Sequence, residues 1–576
     1  MLRRTPSALC RAIASLAALV ILTACGGGGG GGEGAAGGST GGTAGASAPP
    51  AAAIDTPSPL TAACTNCGAV DGSTYAGAGT GVWQVSNTGS LAKDFPLTIK
   101  GLTGQLVTLV FTNETAQEVA MPSLQILSSP TTLAPTLSKS MVGGSDSADA
   151  GTAFNADVAN FNRDGFARLL STPTAGGGAA KLSALSAPSA PAATYTVGQQ
   201  RTVYLLDRSQ RTVRLAGQRA TGDGTVVNVW VETSEIDPSR VSATLSDRVR
   251  DAFAGAGGIY DMLVKVGGPL WGPHGHTELL AGSGQPIDIF LVNFDRNAQP
   301  YGMGGYFWGL NNFKTGGGQL AYSNESLSMY MDTETMYLDG ERGLRQVVTA
   351  LAHEGMHMQN FYRRSVSMGS QFAFDDWLEE MSALMMEDWA SYALDTSHNA
   401  IRDARLPYYL NYRGSGSYNC ELTRWDPMGT VCESYAVVGS FGGYLNRQFG
   451  LGFLQSLLRS TGLTGSAAVL EAAIKAQRPD SGIGQEMRRF SSAAAGLVPL
   501  SAGVAGYSMP SRNDDGLQLV AMDPAAFGES GRGLPAAVPS MLKGFASFPV
   551  SRFRLTGSYQ ETVRVPQGST LTVVIR

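Results

Sequence analysis

Histidine is the scarcest chemically versatile residue in this chain, with five in 576 positions, so imidazole chemistry is confined to very few places. Charge is thin as well. Asp, Glu, Lys and Arg together make up 15% and the net charge is −5, which leaves no basic surface for a polyanion and excludes nucleic acid as a partner. The apolar run Ala12 to Leu22 falls well short of the roughly 20 residues that a membrane-spanning helix needs. Six cysteines are too few for a disulfide-built scaffold, and hydrophobic residues at 43% suffice for sizeable cores. What remains is a globular, monomeric protein with a short leader.

The leader sets the compartment. Met1-Leu2-Arg3-Arg4 and Arg11 precede the apolar run, which ends in Leu22-Thr23-Ala24-Cys25. This pattern is a signal peptide over residues 1–24. Leu-Thr-Ala-Cys resembles the lipobox of bacterial lipoproteins, which implies cleavage before Cys25, lipidation of Cys25 and attachment to a membrane through that lipid. No acidic residue follows Cys25 directly, which in such lipoproteins favours the outer membrane. Residues 25–60, opening with Gly26 to Gly32, are too poor in large apolar groups to fold and are expected to form a flexible tether.

In an oxidising compartment the four remaining cysteines are expected to close as sequence-local pairs, Cys64 with Cys67 and Cys420 with Cys432. The second would pin the loop Glu421 to Val431. Cys64-x-x-Cys67 also has redox and metal-knuckle readings, but no second such pair accompanies it.

Composition shifts divide the rest. Short β-type runs at Val82–Val85, Leu106–Phe111 and Leu124–Leu127 predict a β-rich N-terminal domain over 61–175, which also holds a helical stretch around Ala156 to Leu170. Residues 176–193, rich in Ala, Gly, Ser and Pro, read as a linker. Over 194–505, alternating runs at Thr202–Leu206, Thr212–Leu215 and Val226–Val231 predict an antiparallel sheet. A helix over Ser242–Val266 follows, then strands at Ile287–Phe294 and Ser328–Thr333, and helices beyond. Strands first and helices afterwards indicate α+β. Residues 506–576 turn β-like again and are expected to form a small C-terminal domain.

The chemistry starts in a helix predicted from Glu341 to about Arg364. Leu344, Val348, Leu351 and Gly355 share one face, with His353 and His357 roughly opposite and one turn apart. In a random shuffle of this composition His-Glu-x-x-His arises on the order of 10⁻³ times. Two imidazoles so placed reach one metal ion, and Glu354, about 100° round the helix, addresses a water beside that ion as general base. Zinc suits neutral imidazole and takes three protein ligands plus water in a catalytic site. A second apolar helix, Asp375 to Trp389, offers Glu379, Glu380 and Glu387. The buried stripe Trp377, Met381, Leu384 and Met385 flanks Glu380, with Glu387 on the same side, while Glu379 points sideways as a solvated carboxylate would. His274 and His276 form another imidazole pair, in a Gly and Pro loop with only Glu278 nearby.

His353-Glu-Gly-Met-His-Met-Gln-Asn-Phe361 followed by Trp377-Leu-Glu-Glu380-Met-Ser-Ala383 resembles the hyicolysin family of zinc metallopeptidases, in the gluzincin group. Thr202 to Gly450 matches loosely and these two segments well. The resemblance implies a thermolysin-like core and endopeptidase activity on proteins or peptides, and it assigns Glu380 as third ligand. Here the family's Asn before that glutamate is Glu379. It also implies an oxyanion-stabilising Tyr or His on a later helix, for which Tyr435 is preferred over Tyr444 in the predicted helix Ser434 to Gly450. Gluzincins bind peptide along a sheet edge, for which Gly317 to Asp332 is the expected segment, with Gly302 to Gly318 as a mobile loop. The competing reading is a surface-binding, adhesin-like lipoprotein on a silent peptidase fold; an intact Glu354 argues for the enzyme.

Overall fold

The computed structural model describes residues 59–126, 156–170, 195–427 and 429–576. The expected leader, Cys25, nearly all of the tether and the 176–193 linker lie outside the described residues. Before the first long helices come β1 (Thr61–Ala62), β2 (Gly81–Asn87), β3 (Lys93–Asn113), β4 (Val119–Ala120), β5 (Gln200–Tyr204), β6 (Gln210–Ala220) and β7 (Val226–Glu232). Helices α1 (Ala243–Ala254) and α2 (Ile259–Gly267) follow, then β8 (Ile287–Val292), β9 (Gly305–Phe307) and β10 (Leu327–Asp332). The helical lobe holds α3 (Thr333–Leu338), α4 (Gly340–Asn360), α5 (Asp376–Leu394), α6 (Leu406–Asn411), α7 (Ser434–Phe449), α8 (Leu451–Arg459), α9 (Ser466–Gln477) and α10 (Ile483–Ala495). Strands β11 (Arg512–Asp514), β12 (Leu517–Leu519), β13 (Met541–Leu542), β14 (Ser547–Val565) and β15 (Ser569–Ile575) follow.

Six strands make the sheet beneath the site, in the order β5-β6-β7-β8-β10-β9. The first two pairings are antiparallel, as the alternating runs predict, but β8 pairs in parallel with both β7 and β10, so the sheet is mixed. The reason lies in the connection: α1 and α2 carry the chain across the sheet between β7 and β8. One helix was expected there. Gly255, Gly257 and Gly258 divide it, Gly257 taking a φ of +71° that larger residues resist.

The middle strands are buried on both faces, so strict alternation fails in them. Val227, Val229, Val231, Ile289, Leu291 and Met329 face the helices, each worth about 1.5–3 kcal/mol when fully buried. On the other face Trp230, Phe290, Tyr330 and Tyr306 form an aromatic ladder with centroids 6.2, 5.0 and 4.6 Å apart. The expected edge, Gly317 to Asp332, contains β10, which lies inside the sheet. The edge is β9, from the stretch read as a loop, because three residues among glycines show no periodicity.

The two terminal β segments, expected as separate domains, share one sheet of order β1-β2-β15-β3-β14. Strand β15 pairs with β2 on one side and β3 on the other. Residues 124–126 form no strand. Thr56–Arg576 is one compact unit, with Thr112 in β3 reaching Ser491 in α10 at 3.3 Å. Strand propensity shows in a sequence; the partner strand does not.

Candidate active site

Helix α4 lies against α2 at Gly355, where a Cβ would stand 2.5 Å from Leu263 Cδ1. Leu344, Val348 and Leu351 are buried on that apolar side. This close approach turns His353 and His357 toward a cleft of about 770 Å³ between the helices and β9. Helix α5 packs across α4 and places Glu380 opposite both imidazoles. One ligand atom from each of His353, His357 and Glu380 can lie within 4.8 Å of the others, and among the described residues this is the one such group of three.

Each imidazole is held by its own carboxylate. His353 Nδ1 and Glu387 Oε1 are 2.7 Å apart, and His357 Nδ1 and Glu379 Oε1 are 2.9 Å apart. Asn360 Nδ2 donates to the other Glu379 oxygen at 3.0 Å. With both Nδ1 atoms engaged, the Nε2 atoms are left for the cleft, at 3.1 and 3.9 Å from the Glu380 oxygens. Glu380 Oε2 is buried and makes no hydrogen bond of good geometry among the described residues. Two imidazole nitrogens and a carboxylate converging on one point are a donor set that suits a divalent metal ion.

The reading of Glu379 as a solvated carboxylate is therefore corrected: it orients His357, as Glu387 orients His353. Periodicity along α5 shows which side Glu379 takes but not that α4 presents His357 and Asn360 there.

The electrostatics match. Burial works against charge on His353, yet Glu380 and Glu387 reverse the balance and raise its pKa well above the ordinary imidazole value. Burial likewise opposes charge on His357, and Glu379 and Glu380 overcome it. The carboxylates thus create a field that favours a cation between the rings. Burial raises the Glu354 carboxyl, against the pull of His353 and His357 and of the Phe307 backbone N–H on the β9 edge. A carboxylate of raised basicity beside the metal position is suited to take a proton.

Tyr435 stands in the first turn of α7. Glu433 caps that helix by accepting from the N–H groups of Tyr435 and Ala436, and the Cys420–Cys432 disulfide precedes the cap. Trp425 packs edge-on at 4.8 Å and the Arg405 guanidinium lies over the Tyr435 ring at 5.1 Å. Burial, with the negative field of Glu380, lifts its phenol well above the ordinary range and keeps it a proton donor. Tyr444 is elsewhere, its hydroxyl donating to Glu486 at 2.7 Å.

His274 Nε2 meets the Leu280 carbonyl at 2.9 Å, and no carboxylate completes a site with His276 among the described residues. Cys64 and Cys67 are also disulfide-bonded, in the terminal sheet region. Sequence reasoning missed Arg405, which lines the cleft with its Nε buried and without a hydrogen-bond partner among the described residues, and Asn162, which lines the same cleft.

A family profile described as Peptidase M30 matches residues 207–576, and one described as a domain of unknown function matches 62–126. Over 195 residues the chain is 27% identical to the neutral metalloprotease ShpI of Staphylococcus hyicus, a stretch covering 32% of this chain and 40% of that protein.

Proposed function

As the chain belongs to the peptidase M30 family, we propose that it is a zinc-dependent endopeptidase hydrolysing peptide bonds in proteins or peptides. The observation that carries this reading is Glu354 standing beside a closed trio of His353, His357 and Glu380, each histidine fixed by its own carboxylate. Zinc held by the trio would supply Lewis-acid polarisation of the scissile carbonyl and an acidified water. Glu354 accepts the proton of the attacking water and passes it to the leaving amine. Tyr435 donates to the oxygen that gains negative charge, and Arg405 adds a positive field on the same side of the cleft. The β9 edge holds the peptide backbone as an added strand.

Glu354→Gln tests the assignment. Gln is isosteric, is not a ligand and cannot take the proton, so hydrolysis of a peptide library is expected to fall at least 10³-fold with zinc still near one per chain by atomic absorption. Retained chelator-sensitive turnover would overturn the role of Glu354.

The leader supports export and anchoring to the bacterial outer membrane by lipid on Cys25. Cys25→Ser is expected to abolish palmitate labelling and release the protein from membranes. Unchanged labelling would refute the anchor.

A further inference from the structure

Asn162 lies in a stretch that neither family profile covers, since residues 156–170 fall between 62–126 and 207–576. The stretch is helical through Leu169, with π-helical turns at Phe161–Gly165. It is anchored at several points. Phe161 packs edge-on against Trp308 and Phe313 at 6.2 Å, and Phe166 against Phe361 at 4.9 Å. Arg163 donates to Asp376, at the start of the helix that carries Glu380, at 2.9 Å. With this stretch in place the cleft still measures about 770 Å³, and Asn160, Asn162 and Arg163 are among the residues that line it. It is a wall and not a plug.

What the wall does to the β9 edge is specific. Tyr306 faces its partner Tyr330 in β10, and Gly304 accepts from Asp332, so the outward peptide groups are those of Gly305 and Phe307. The Phe307 carbonyl accepts from Asn162 Nδ2 at 2.9 Å, and the Gly309 N–H donates to Asn162 Oδ1 at 2.7 Å. A carbonyl and the amide two residues later are the pair that a parallel neighbouring strand would occupy. One side-chain amide therefore stands in for the next stretch of added strand. Edge groups free for a substrate lie on the Gly305 side of that point.

We propose that Asn162 is a specificity-determining stop, which ends the pairing of a bound peptide with β9 just past the reacting position and lets the peptide extend freely in one direction only. The proposal rests on the peptidase reading above. It predicts a cleft that selects where a bond lies relative to one end of its substrate.

The test uses the full-length protein and a ladder of peptides with one cleavable core, lengthened one alanine at a time at either end. In the wild type, kcat/KM is expected to keep rising with length at one end and to level off at the other. In Asn162→Ala the levelling is lost, and the ratio of kcat/KM between the longest and shortest peptides at that end rises about tenfold, as one regained backbone hydrogen bond allows. Asn162→Asp keeps the acceptor for Gly309 but loses the donor, and is expected to fall between. Thermal midpoints and zinc content identify a variant that fails to fold; if Asn162→Ala does so, Asn162→Asp carries the comparison. Levelling at neither end in the wild type, or the same levelling in the folded variants, overturns the stop and leaves the peptidase standing. Absence of all chelator-sensitive cleavage in the wild type overturns the peptidase reading and the stop with it.

Discussion

The helix pair that carries the His353, His357 and Glu380 cluster and the terminal sheet are built by opposite rules. In α4 and α5 the decisive spacings are local. His353 and His357 are one turn apart in one helix, and the carboxylates that support them sit on the next long helix, 34 and 22 residues further on. In the terminal sheet the decisive pairings are remote, and Ser86 in β2 meets Thr570 in β15 across 484 residues. Local geometry follows from helical period; remote pairing depends on which edges the rest of the fold leaves open. Damage in the first region should remove chemistry and leave the fold, and damage in the second should remove the fold and the chemistry together.

The largest effect is expected from Glu380→Ala. It removes one of the three proposed ligands, so zinc per chain should drop from near one to near zero by atomic absorption, while circular dichroism keeps the native helix content. Loss of both together would mean that the two regions are not separable in this way.

Next comes Val573→Asp. Val573 is fully buried in β15, between β2 and β3, and an unpaired carboxylate there should cost about 3–5 kcal/mol of stability. Denaturant unfolding should show one transition at lower midpoint, with zinc release coinciding, because Thr56–Arg576 is one compact unit. A separate early transition would show that the terminal sheet unfolds by itself.

The smallest effects belong to the carboxylates that hold the histidines. Glu387→Ala and Glu379→Ala should each weaken zinc binding by about 10- to 100-fold in competition with a chelator, with the site still filling at saturating zinc. A variant with unchanged affinity would show that its contact to His353 or His357 does not tune the metal.

Legibility in the sequence followed the same division. The spacing of His353, Glu354 and His357 could be read within one helix, and the stripe through Trp377 and Met381 put both Glu380 and Glu387 on the side that faces the histidines, with only the family resemblance choosing Glu380. Glu379 was misread because its partners, His357 and Asn360, lie on another helix, and a pattern within α5 carries no trace of them. The alternating strands β5 to β7 were legible, whereas β8 and β10, buried on both faces, showed strand character without direction. The β9 edge escaped notice because three residues are too few for a pattern. Asn162 had no signal at all: an asparagine announces a turn or a cap, not a stand-in for a neighbouring strand.

The place of β15 in the terminal sheet has a consequence for how the molecule is made. Strands β2 and β3 emerge from the ribosome early, but the strand that joins them is synthesised last among the described elements. Until then each has an unpaired edge, the kind of surface that recruits other chains. Closure over so great a separation is slow by the ordinary dependence of folding rate on contact distance. A chain truncated before β15 would keep both edges open, so closure of the sheet waits until β15 itself has been made.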